Sequence, residues 1–202
     1  MDIKVVKANE LAGNIRPAMS LIFVEGWYDS LKMLCKNKTK LSRAFEHIFK
    51  LENFYVASVD SQIVAFIALS NREHDRRVVQ FDKQTLQKNL GLIRGHLMYS
   101  ALNKAMITKQ YPFEIAKNTG VIEFVATLPE ARGKGLARQL IEYGIVENEY
   151  QNYILEVADT NRSAISLYEK LGFREFEREK SDYPKKYSGF EWYLYMEKFP
   201  GK

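Results

Sequence analysis

The chain has 202 residues, with 30 basic and 25 acidic side chains, a formal net charge of +5 and 46 % apolar residues. This balance suits one globular domain, residues 1–202, that buries its own core, and it excludes a disordered or collagen-like chain. A single cysteine argues against a disulfide framework, and three histidines with no His-x-x-x-His pair argue against a protein-held metal.

No apolar run reaches the roughly 20 residues of a membrane span, and the N-terminus has no leader profile. The expectation is a cytoplasmic protein with no membrane partner. The charge is unevenly placed: residues 1–119 hold 18 basic and 11 acidic groups, whereas residues 120–202 hold 12 and 14. A basic surplus raises a nucleic-acid partner as a question, but no recognised nucleic-acid motif accompanies it.

Taken in chain order, Ile3 to Lys7 reads as an opening strand. Leu11 to Leu34 has near-helical apolar spacing, interrupted around Gly26, with Pro17 at a helix start or kink. Cys35 sits among apolar neighbours and reads as a buried, inert thiol. Leu41, Phe45, Ile48 and Phe49 mark a second helix, capped by Thr39 or Ser42. Asn53 to Val59 and Gln62 to Ser70 form a hairpin about Asp60-Ser61, and the second strand is apolar enough to be covered on both faces.

Residues 71–119 form an insertion. A charged loop, Asn71 to Arg77, precedes a stripe of Leu86, Leu90, Ile93 and Leu97, which predicts one helix weakened by Gly91 and Gly95. This helix is expected to wall the acceptor site, or else to pack against a second copy of the chain as a homodimer. His74 and His96 read as surface or loop residues.

From Gly120 the pattern alternates strand and helix. Val121 to Ala126 is a strand, Leu136 to about Asn148 a helix with Leu140, Ile141 and Gly144 inward, and Tyr153 to Ala158 a strand. Arg162 to Leu171 is a helix capped by Gly172, and two closing strands follow, Phe173 to Lys180 and Phe190 to Phe199. The expected fold is α/β: a mixed, mostly antiparallel sheet of about seven strands flanked by helices, with a helical insertion before the fourth strand.

Between a strand and a helix lies Arg132-Gly133-Lys134-Gly135-Leu136-Ala137. Glycines there let backbone N–H groups approach a ligand, and the new helix adds orphan donors and a positive dipole end, which together suit phosphate. A Walker A loop is excluded, because Leu128 stands where its first glycine belongs and Gly135 follows the lysine. The dinucleotide fingerprint lacks its third glycine, since Arg138 stands there. On the pattern alone, a plain surface turn remains the alternative.

The wider context resembles the GNAT superfamily of N-acetyltransferases. Arg132 to Ala137 is similar to its Arg/Gln-x-x-Gly-x-Gly/Ala signature, and the preceding Val125-Ala126-Thr127-Leu128-Pro129 to its strand–bulge–Pro approach. Asn161 to Phe173 is similar to its Asn-x-x-Ala-x-x-Leu-Tyr-x-x-x-Gly-Phe motif. The detailed resemblance covers about residues 120–175. It implies acetyl-CoA as donor, its pyrophosphate held by the backbone of Arg132, Gly133, Lys134, Gly135, Leu136 and Ala137. Its pantetheine arm would lie along Val125, Ala126 and Thr127, and Asn161 would bond that arm.

It further implies that a primary amine, on a small molecule or a peptide, attacks the thioester directly. Tyr168 would then be the acid for the departing thiolate, or else a core tyrosine. Glu123, a carboxylate in an apolar strand, would be the base, or else a solvent-facing residue of the alternation. Tyr183, Tyr187, Trp192 and Tyr193 would line an acceptor pocket or pack across strands. A CoA-binding sensor without turnover is the alternative function.

Overall fold

The computed structural model describes residues 2–71, 77–182 and 184–201, without the side chain of Tyr187. Most of the expected charged loop after Asn71, with His74, and also Tyr183 lie outside the described residues. Seven strands form one sheet: β1 (Ile3–Lys7), β2 (Phe54–Val59), β3 (Gln62–Asn71), β4 (Thr119–Thr127), β5 (Asn152–Ala158), β6 (Arg174–Lys180) and β7 (Trp192–Lys198). Their spatial order is β1-β2-β3-β4-β5-β7-β6, and every neighbouring pair is antiparallel except β4 with β5. The β2–β3 hairpin turns on Asp60 and Ser61, both at positive φ (48° and 69°), the backbone that a two-residue hairpin of right-handed twist requires.

Helix α1 (Arg16–Leu31) carries Pro17 in its first turn, where a missing N–H costs nothing, and kinks at Trp27 beside Gly26. It packs on β3 and β4, and that side of the sheet is filled by Phe23, Phe45, Phe49, Phe54 and Phe66, mostly in edge-to-face contact. Helix α2 (Lys38–Phe45) is capped by Asn37, whose side chain accepts from the Lys40 N–H at 2.9 Å; neither Thr39 nor Ser42 has that role. Ile48 and Phe49 lie beyond its end but are buried all the same, Phe49 in a β-bridge to Val79.

The opposite face carries α5 (Leu136–Glu147), with Leu136, Leu140, Ile141 and Gly144 buried. A Cβ on Gly144 would stand 3.3 Å from Ile67, so the missing side chain is what lets helix and sheet approach. Helix α6 (Arg162–Lys170) ends at Gly172, which takes the left-handed conformation (φ 87°) as expected.

The insertion does not make one helix. Gly91, at φ 92°, separates α3 (Lys83–Leu90) from α4 (Leu92–Leu102). Leu86 and Leu90 are buried, but Ile93 and Leu97 point outward, 77 % and 48 % exposed; Gly95, Met98 and Leu102 form the inner face of α4 instead. Gly95 sets this register, because a Cβ there would collide with the Gln87 backbone at 2.4 Å. A one-turn helix, α7 (Lys185–Ser188), precedes β7.

Candidate active site

The β4–β5 pairing runs only from Thr119↔Asn152 to Ile122↔Leu155. Beyond it β4 stays with β3 as far as Thr127, and β5 stays with β7 as far as Ala158. The two central strands therefore diverge, and a cleft opens between Glu123–Thr127 on one side and Glu156–Ala158 on the other.

On the β4 side, Ala68 pairs with Glu123 and Phe66 with Ala126, so Phe124 and Val125 together oppose Ile67. This is a β-bulge, which leaves one residue outside the ladder. Phe124 stands at φ 53°, a left-handed conformation costing a bulky residue roughly 1–2 kcal/mol. Its ring offsets this by packing on Trp27, Phe23 and Phe54, with centroids 5.6–6.4 Å apart. The bulge thus begins one residue before the expected Val125–Thr127 stretch.

At the outer end of β4, Gly133 and Gly135 both take φ 75°, and Gly135 is the residue from which α5 starts. The first backbone bond of α5 runs from Gln139 N–H to Gly135 O, at 3.1 Å, so the N–H groups of Leu136, Ala137 and Arg138 have no intrahelical acceptor. A Cβ on Gly133 would meet no atom within 4 Å. Open space, positive φ and a helix start form a cradle of the kind that could hold a phosphate-bearing ligand. The Arg132 side chain is turned back, its Nε donating to Thr127 O at 3.2 Å, and Lys134 is exposed.

Asn161 is the N-cap of α6: its Oδ1 accepts from Ala164 N–H (3.3 Å) and Ser163 Oγ (3.2 Å). Tyr168 is buried on the inner face of α6, edge-on to Phe173, and burial pushes its hydroxyl up to about 12. The hydroxyl keeps its proton at neutral pH, as an acid must. Glu123 is half-buried, with Oε2 shut off from solvent.

Glu156 was not singled out from the sequence. It lies two residues past Ile154 just as Glu123 lies two past Val121, and Val121 pairs with Ile154. The two carboxylates therefore stand on one face, across the opening of the cleft. Glu156 receives Lys109 Nζ at 2.7 Å, and that ammonium also sits 3.5 Å above the Tyr193 ring. Next to it Tyr195 is fully buried and donates to Glu179 Oε2 at 2.8 Å; burial first, then the charges of Glu156 and Glu179, pushes its hydroxyl far up. Tyr193 faces Lys109, whereas Trp192 is paired with Lys180 at the start of β7. The sequence signal for Glu156 was the one used for Glu123: a lone carboxylate in an apolar strand, here Tyr153-Ile154-Leu155-Glu156-Val157.

His96 is exposed on α4. Among the described residues no group of three or more His, Cys, Asp or Glu is placed to hold a metal ion, and no helix is long and apolar enough to cross a membrane.

Comparison with known proteins speaks to the family and the fold. The model of the acetyltransferase (GNAT) family matches residues 23–173. The chain belongs to the acetyltransferase (GNAT) family, a family of acyltransferases. A [ribosomal protein bS18]-alanine N-acetyltransferase of Salmonella typhimurium is 40 % identical over 63 residues, 30 % of this chain and 43 % of that protein; the match thus spans less than half of the relative's length. The crystal structure of an N-acetyltransferase from Staphylococcus aureus Mu50 superposes with a TM-score of 0.63 at 16 % identity, covering 96 % of this chain and 100 % of that one. A NatC complex bound to Gag peptide and CoA gives 0.56 at 13 % identity, with 98 % and 99 % covered. At such identities the structures speak for the fold.

Proposed function

We propose that the protein is an acetyl-CoA-dependent N-acetyltransferase that transfers the acetyl group to a primary amine by direct attack on the thioester. The observation that carries this reading is the combination, along β4 and the loop that follows it, of the cleft beside β5, the Phe124 bulge and the Gly133/Gly135 cradle. The backbone of Arg132 to Ala137 would hold the pyrophosphate, and Val125 to Thr127 would offer the arm a free strand edge. An amide released by the bulge would face the thioester carbonyl, where negative charge develops.

An alkyl ammonium must lose a proton before it attacks, since its ordinary pKa is roughly 10. Glu123 and Glu156 both face the cleft from the side away from α5, and either could take that proton directly or through water. Glu156 is the better placed, because it already receives an ammonium. Tyr168, on the other face, would protonate the departing thiolate. Asn161 has its oxygen committed to the α6 cap, leaving its NH₂ for the arm.

The test is calorimetric titration with acetyl-CoA, followed by thiol release over a panel of small and peptide amines. Binding with amine-dependent release of CoA supports the reading. Tight binding with no release for any amine would replace it with a CoA sensor, and no binding would remove both.

A further inference from the structure

The geometry points to Lys109 as a built-in occupant of the acceptor-amine position and therefore as a site of self-acetylation. The inference rests on the acetyl-CoA reading above. Lys109 comes from the insertion, 47 positions before its partner Glu156. It lies two residues beyond the π-type turn Asn103–Ile107, a helical irregularity of the kind that recurs at functional sites.

Its Nζ lies 2.7 Å from Glu156 Oε2, on the first outward-facing residue of β5 after pairing with β4 ends. It lies 3.5 Å over the Tyr193 ring and 5.9 Å from that of Tyr195. A carboxylate and an aromatic face together recognise an alkyl ammonium. Both side chains of the pair are only 28 % exposed, so the contact is sheltered. Lys109 thus already makes the contacts that an incoming amine would need at the mouth of the cleft.

The chemistry balances without a further reactant. Glu156 takes one proton from the Lys109 ammonium, and the Nζ lone pair attacks the thioester carbonyl carbon. The C–N bond forms, the C–S bond breaks, and the departing thiolate takes the Tyr168 proton; the second Nζ proton passes through water to restore the Tyr168 hydroxyl, and Glu156 gives up its own proton to solvent. The product is a neutral amide, which can no longer pair with Glu156 or bind as a cation to Tyr193. Self-acetylation would therefore release the segment around Lys109 from the mouth of the site.

The experiment is incubation of the full chain with isotopically labelled acetyl-CoA, without added amine, followed by peptide mass mapping. The expected result is one labelled acetyl group on Lys109, appearing at a rate constant that does not change on dilution of the protein. The Lys109→Arg variant should lose that label and retain acetyl-CoA binding. Absence of label at Lys109 in a protein that binds acetyl-CoA overturns the inference and leaves the acetyltransferase reading intact. Label spread over exposed lysines such as Lys36 and Lys40 overturns it as well, since that is uncatalysed chemistry. Failure to bind acetyl-CoA removes both.

Discussion

Tyr168 has a hydroxyl sealed into the buried face of α6, and the consequences of that burial can be measured in two ways. In catalysis, Tyr168→Phe keeps the ring and removes the proton, so kcat should fall on the order of 10²-fold while acetyl-CoA binding changes little. In stability, the sign is fixed by the folded hydroxyl being raised to about 12 while the unfolded chain titrates near 10. Above pH 10 the unfolded state holds fewer protons, so this group's contribution to stability is complete below pH 10 and is lost as pH rises toward 12. Tyr168→Phe should lose roughly 2 kcal/mol less than the parent protein across that window, measured by urea unfolding at several alkaline pH values. Gly133 provides the matching residue-scale test of the cradle. Gly133→Ala forces an L side chain into φ 75° and points a methyl into open space where phosphate would lie. It should weaken acetyl-CoA binding by about tenfold or more, a loss of roughly 1.4 kcal/mol; unchanged calorimetric affinity would count against the cradle.

Among the elements, the α3–α4 pair gives an inverted expectation. Glycine inside a helix is ordinarily worse than alanine by about 1 kcal/mol. Gly95→Ala should instead destabilise by about 1–3 kcal/mol, seen as a lower Tm, because its methyl meets the Gln87 backbone at 2.4 Å. The same pair shows where the sequence was legible and where it was not. The 4-3-4 spacing of Leu86, Leu90, Ile93 and Leu97 looks like one helix because periodicity cannot register a left-handed φ at Gly91. Once the chain turns there, Ile93 and Leu97 lose the face that Leu86 and Leu90 keep. By contrast, the β2–β3 hairpin, the inward stripe of α5 and the Gly172 cap were readable, because each is settled by residues close in sequence. The cap of α2 was misplaced by two residues at least, since Asn37, Thr39 and Ser42 are all competent and only the chain path chooses. At the site, the loop and the α6 motif were visible for the same local reason. The meaning of Glu156 depends on Lys109, which the fold brings from the far side of β4.

For the whole molecule, the insertion is part of the body rather than an appended lid. Val78, Val79, Leu86, Leu90, Met98 and Leu102 belong to the same buried cluster as the sheet, and His47 Nε2 accepts from Asp82 N–H at 2.9 Å to anchor α3 to the end of α2. Deleting residues 80–115 should therefore abolish cooperative unfolding, followed by circular dichroism, and acceptor roles are better probed by single substitutions. The basic surplus of the first 119 residues is partly gathered around a cavity of about 410 Å³, lined by Lys32, Lys36, Lys40 and Arg94 and by none of the residues assigned to acyl transfer. The sheet itself is two antiparallel blocks, β1 to β4 and β5-β7-β6, joined by the four residue pairs from Thr119 to Ile122. That short parallel seam has fewer residue pairs than any other junction of the sheet, and its amides should exchange with solvent faster than those of β2 and β3. A donor arm lying along β4 would act as a splint, closing from outside a sheet that the chain leaves half joined.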